Sequence, residues 1–216
     1  MAGFGTQQWY NAPSSTLRGE VLERELGDGF LGFAAELLAA GSYETAGALS
    51  AAFASQLQHA VVTTDAARLA AVAAAAGAEC EMAFSVLVAE ELEAPPRGES
   101  TLLDATALDG GPRPLAFFAA PPSGADAAGR AVAFKLRHHL WRGALLTKEA
   151  AWGTAAPAAT ELGAVTSVVG LQEPCMLRGL GGTASSTVTP QGFGAEGTLF
   201  VLDTAIGVDA SAFESG

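Results

Sequence analysis

Between Glu79 and Val88 the chain alternates strictly. Cys80, Met82, Phe84, Val86 and Val88 take every second position, and Glu79, Glu81, Ala83, Ser85 and Leu87 lie opposite them. That alternation places the two sets on opposite faces of an extended strand, whereas a helix would scatter the apolar groups around its circumference. Arg130–Trp141 shows the same device, with Val132, Phe134, Leu136 and Leu140 set against Lys135, Arg137 and His139, and it predicts a second half-buried strand. Further strands are predicted at 114–119, 143–148, 163–170, 174–180, 184–189 and 197–203, separated by Gly and Pro clusters.

The N-terminal part has a different period. Leu17, Val21, Leu22, Leu26, Phe30, Phe33, Leu37 and Leu38 recur at three- and four-residue spacing, which predicts helix. Gly27 and Gly29 interrupt that run, and a glycine costs about 1 kcal/mol against Ala in a helix interior, so a break is expected there. Gly41 stops the run, and Ser42 is the expected N-cap of a second helix over 43–62 with the face Ala46, Leu49, Phe53, Leu57 and Val61. Thr64 or Asp65 caps a third, Ala-rich helix that runs to Ala76 and ends at Gly77. Residues 1–16 carry Trp9, Tyr10 and Pro13 without helical period and read as an extended arm. Its aromatic pair is expected to dock on this chain's own core or on a neighbour's surface. The organisation is therefore an arm (1–16), a helical unit (17–78) and a β-rich domain (79–216). The fold class expected is α+β, an N-terminal three-helix unit followed by a mostly antiparallel β-sandwich or barrel.

Composition narrows the class. A chain of 216 residues, half of them hydrophobic, buries enough surface to fold without disulfides or metals. Cys80 and Cys175 make no disulfide framework. The apolar run Leu69–Ala76 falls well short of the ~18 residues of a membrane span, and the first residues carry no basic, then apolar, leader. No membrane partner is expected. A net charge of −12 is the wrong sign for releasing counterions from phosphates, so no direct nucleic-acid contact is expected either. The charge is uneven: residues 79–109 carry −7 and residues 110–150 carry +4. Arg130, Lys135, Arg137 and Arg142 in the basic segment either pair with that acidic stretch or with solvent, or form a docking patch for the acidic surface of a neighbouring copy. With Trp9 and Tyr10 they are the candidate interaction residues.

Catalytic chemistry finds little support. Gly27-Asp28-Gly29-Phe30-Leu31-Gly32 fits G-x-G-x-x-G, yet a charged amphipathic segment precedes it and positions 48–52 hold no acidic residue for a ribose. It reads as a helix junction. His138 and His139 would point to opposite faces of a strand and could not grip one ion together. Both cysteines sit among apolar neighbours, where thiols are inert, and no Gly-x-Ser-x-Gly elbow or phosphate loop is present. No catalytic residue, cofactor or metal is expected.

Glu173-Pro174-Cys175-Met176-Leu177-Arg178-Gly179, followed by Gly197-Thr198-Leu199-Phe200-Val201-Leu202-Asp203-Thr204-Ala205-Ile206-Gly207, resembles a strand pattern of tailed-phage virion proteins of the capsid decoration (cement) type. The helical first part has no counterpart in that pattern. The resemblance implies a virion location after assembly in the host cytoplasm, many identical copies, and no catalysis. The function expected is a non-enzymatic structural protein of a multi-copy assembly, a capsid or head-associated component whose partners are identical copies or another shell protein. The alternatives are a cytoplasmic adaptor or scaffold subunit of a cellular complex, and an enzyme or ligand carrier with a pocket near His138 and Trp141.

Overall fold

A computed structural model of the chain describes residues 8–12, 19–57, 60–75, 82–94, 101–148, 167–171, 176–179, 185–187 and 206–213. Helices and strands interleave along this chain, and its sheets are small and mixed, with no closed barrel among the described residues. The strands are β1 (Gln8–Ala12), β2 (Phe30–Phe33), β3 (Ala39–Ala40), β4 (Ala60–Thr63), β5 (Met82–Val88) and β6 (Arg113–Pro114) in the first half. The second half has β7 (Ala119–Ala120), β8 (Ala144–Thr147), β9 (Ser167–Gly170), β10 (Met176–Gly179), β11 (Ser185–Thr187) and β12 (Gly207–Val208). The helices are α1 (Gly19–Leu26), α2 (Tyr43–Leu57), α3 (Ala66–Ala75) and α4 (Ala127–Trp141).

The alternation from Met82 to Val88 is a strand, β5, and the Ala-rich run capped by Asp65 is α3, with the Arg68 amide donating to the Asp65 carboxylate at 2.9 Å. The expected break at Gly27–Gly29 is a 3-10 turn, entered through Gly27 at φ +55°, a conformation glycine adopts without strain. Beyond the turn the chain extends into strand β2 instead of resuming the helix. The second helix ends at Leu57, and residues 60–62, expected as its last turn, belong to strand β4. The three helices of the expected helical unit are thus separated by β2, β3 and β4. The expected strand 114–119 resolves into β6, a 3-10 turn at Leu115–Phe118, and β7. The expected strand at 197–203 lies outside the described residues.

One correction is larger. Arg130–Trp141, read as a strand, belongs to helix α4. Its buried residues are Ala133, Leu136, Arg137, Leu140 and Trp141, a three- and four-residue spacing along one face. Asp126 caps the helix by accepting from the Gly129 amide at 2.7 Å, and Gly143 at φ +76° turns the chain out of it.

The first sheet has the order β1-β5-β4-β2, with β1 antiparallel to β5, β5 parallel to β4, and β4 antiparallel to β2. It takes strands from all three segments expected as arm, helical unit and β domain. The second has the order β11-β10-β9-β8-β6, with β10 antiparallel to β9, β9 parallel to β8, and β8 antiparallel to β6. These are the same pattern twice. The spacing repeats with it: cap Ser42, helix 43–57 and strand 60–63 in one half match cap Asp126, helix 127–141 and strand 144–147 in the other. Even the exit is shared, since the Ala89 amide donates to the Thr63 carbonyl as the Leu171 amide does to that of Thr147. Between the halves, β3 pairs antiparallel with β7, Ala39 opposite Ala120 and Ala40 opposite Ala119, a pairing that is unchanged when the halves are exchanged.

One apolar core joins the two. It includes Leu49 of α2, Val62 of β4, Leu87 of β5, Leu136 of α4, Leu146 of β8 and Val169 of β9. Val61 and Val86 face the other side of the first sheet and pack with Leu22 and Leu26 of α1 and Leu69 of α3. β4 and β8 are buried throughout, which is why each reads as three apolar residues and a threonine without alternation.

Candidate functional site

The six candidate interaction residues fall into different environments. Arg137 lies inside the protein, 1% exposed. Its guanidinium donates to the Ala119 carbonyl at 2.9 Å and to the Thr101 carbonyl at 3.3 Å, and sits 4.6 Å from the Phe134 ring centroid. The planar fork joins α4 to β7 and to the segment before the 105–110 turn, and the ring face partly replaces the water the charge has lost. Arg130 is exposed and donates through Nε to the Ala125 carbonyl at 3.0 Å, at the start of its own helix. Lys135 is half-buried on α4. Arg142, exposed at the helix end, pairs with Glu93 at 2.6 Å.

Lys148, from the same basic segment, pairs with Asp109. Both acidic partners come from the stretch 79–109. Of the two expected fates of the basic segment, these contacts are pairing within the chain. Each such pair is solvent-exposed and contributes roughly 0–1 kcal/mol.

His138 and His139 are neighbours near the end of α4 and do not face opposite sides of a sheet. Burial lowers the pKa of His139, with Glu93 opposing the effect and the neighbouring His138 adding to it. Trp141 is buried, and its indole N–H donates to the Leu49 carbonyl of α2 at 3.3 Å, so its polar edge is used in joining the two central helices. Among the described residues no group of three or more His, Cys, Asp or Glu could hold a metal ion, and no helix is long and apolar enough to cross a membrane.

A second polar knot ties the C-terminal segment to the junction of the halves. β12 runs parallel to β3, and the Asp209 amide donates to the Ala40 carbonyl at 2.9 Å. The Asp209 carboxylate accepts from the Ser123 amide at 2.8 Å and the Ser211 hydroxyl at 2.5 Å. These donors hold its pKa down at about 2.

Trp9 and Tyr10 lie in β1, opposite Ser85 and Phe84 of β5. Gln8–Ala12 of the expected arm is therefore a strand, at the end of the first sheet among the described residues. Its composition sets it apart from the other sheet ends. β2, the opposite end of the same sheet, carries a bulge between Phe30 and Gly32, and the Phe33 amide is taken by the Glu36 carboxylate at 3.2 Å. β6 contains Pro114, which has no N–H; β11 has three residues; β7 and β12 have two each, and β7 runs into Pro121. Short strands, bulges and prolines are the usual protections of a sheet edge. β1 is five residues of Gln, Trp, Tyr, Asn and Ala, with no charge, proline or register shift. Periodicity alone could not find this edge, because an arm of polar and aromatic residues becomes a strand only when another strand is there to pair with it.

No protein-family model matches the chain, and no curated protein sequence matches it.

Proposed function

We propose that this chain is a non-enzymatic structural component of a multi-copy assembly, and that the assembly is a virion shell, built in the host cytoplasm. The observation that carries the reading is β1, the end strand of its sheet among the described residues, with main-chain hydrogen-bonding capacity and no charge, proline or bulge of its own. The charged residues first suspected of docking speak for folding: Arg137 is enclosed and Arg142 is paired within the chain. The uncharged edge offers a surface for association, and it suits a protein of net charge −12 whose copies otherwise repel. The C-terminal resemblance to decoration proteins supplies the kind of assembly, with Met176–Gly179 standing as strand β10 and the Gly197–Ala205 part outside the described residues.

Light scattering over a concentration series, followed by negative-stain microscopy with and without purified phage heads, tests the reading. Regular multi-copy particles or decorated heads are expected. A chain that stays monomeric at every concentration and leaves heads undecorated would overturn it. Genes for portal, maturation protease or tail proteins beside its own would favour the virion over a cellular complex.

A further inference from the structure

We infer that β1 is a homodimerisation strand, pairing antiparallel with β1 of a second copy across a two-fold axis to join two first sheets into one. This rests on the reading of the chain as a self-associating protein and names the surface and the partner.

The internal repeat shows what belongs beside β1. In the second sheet β10 is antiparallel to β9 and also carries β11, antiparallel, on its other side. In the first sheet β1 occupies the place of β10, antiparallel to β5, and is the last strand of its sheet among the described residues. The counterpart of β11 is thus an antiparallel strand outside β1. Alternate residues of β1 turn their N–H and C=O towards β5, and the others present theirs to the outer edge.

A second copy is the occupant that fits. Antiparallel pairing of a segment with itself is self-complementary under a two-fold axis, so one uncharged strand supplies both sides. With Gln8–Ala12 fully overlapped, Tyr10 faces Tyr10 of the second copy, and Gln8 faces Ala12. Each chain carries −12, and a contact free of charged side chains at its centre avoids placing like charges opposite each other.

Two measurements on the full chain test this. Sedimentation velocity with hydrogen exchange on the wild type reads whether dimer forms and where. The expected result is a dimer in which alternate amides of residues 8–12 gain protection as concentration rises. The variants Tyr10→Cys and Gln8→Cys are then oxidised mildly and the linked peptides identified by mass spectrometry. Paired Cα atoms across antiparallel strands are about 4.5–5.5 Å apart, within disulfide reach, so Tyr10→Cys should link at least about tenfold faster than Gln8→Cys. A monomer at all concentrations, a dimer whose residues 8–12 gain no protection, or equal linking at the two positions would each overturn the inference. Larger particles forming without protection at β1 would sink the edge pairing and leave the assembly reading standing. A β1-linked dimer that neither grows into particles nor binds heads would do the reverse.

Discussion

Arg137 is the residue whose chemistry is most easily misread. A charged side chain in a basic segment is usually a surface group, yet this one is enclosed, because its five donors can serve two carbonyls from separate segments at once. Arg137→Met keeps the volume of the stem and strips the donors from the Ala119 and Thr101 carbonyls. A loss of about 2–4 kcal/mol in urea unfolding is expected. Little change would mean that the carbonyls find water and that the guanidinium is not a tie. Asp209 works at the surface, and its effect is read through pH. Its folded pKa, about 2, lies below the ordinary 3.8, so its contribution is present above 3.8 and is lost as pH falls through about 2. Melting curves between these limits should fall more steeply for the wild type than for Asp209→Asn; parallel curves would remove the carboxylate from the account of the C-terminal tie.

At the scale of elements, α4 shows how a period can mislead. Val132, Phe134, Leu136 and Leu140 do alternate with polar residues, but the buried face of the helix runs through Ala133, Leu136, Arg137, Leu140 and Trp141. A cation on that face and a small Ala at its start hid the helical spacing, while the apolar Phe134 and Val132 outside it imitated a strand. Two substitutions separate the geometries. Positions 131 and 133 share a face in a strand and lie about 200° apart on a helix. Ala133 is buried and Ala131 exposed, so Ala133→Asp should unfold the protein, at a cost of several kcal/mol, while Ala131→Asp should leave its melting temperature nearly unchanged. Equal damage at both would restore the strand. α3 was legible because it has one wet face and one dry one, which is what a period measures, and β5 because its apolar residues alternate with polar or small ones, although Ser85, Val86 and Leu87 are all buried. β4 and β2 were not: a four-residue strand beside a helix, buried throughout like β4 or partly buried like β2, carries no period of its own and reads as more helix. The candidate site divides the same way. The exposed positions of Arg130 and Arg142 follow from their charge, whereas the enclosure of Arg137 and the pairing of β1 depend on segments far away in the chain.

The whole molecule is a pattern used twice, but the two uses do not make two independent bodies. Leu49 of the first half and Leu136 of the second lie in the same core, the Trp141 indole donates across to the Leu49 carbonyl, and β3 pairs with β7 between them. Ile206, from the last described segment, joins that core as well. An isolated half would leave the shared apolar face in water and the pairing of β3 with β7 unmade. Unfolding should therefore be a single cooperative step, with calorimetric and van't Hoff enthalpies equal. Leu49→Ala, in the first half, removes part of the shared core and should cost about 2–5 kcal/mol. Because the step is common, hydrogen exchange in that variant should rise as much at Leu145 and Leu146 of β8 as at Val61 and Val62 of β4. Two resolved transitions, or faster exchange confined to β4, would show that the repeats fold as separate units and that the contacts between them are an interface laid over two complete cores.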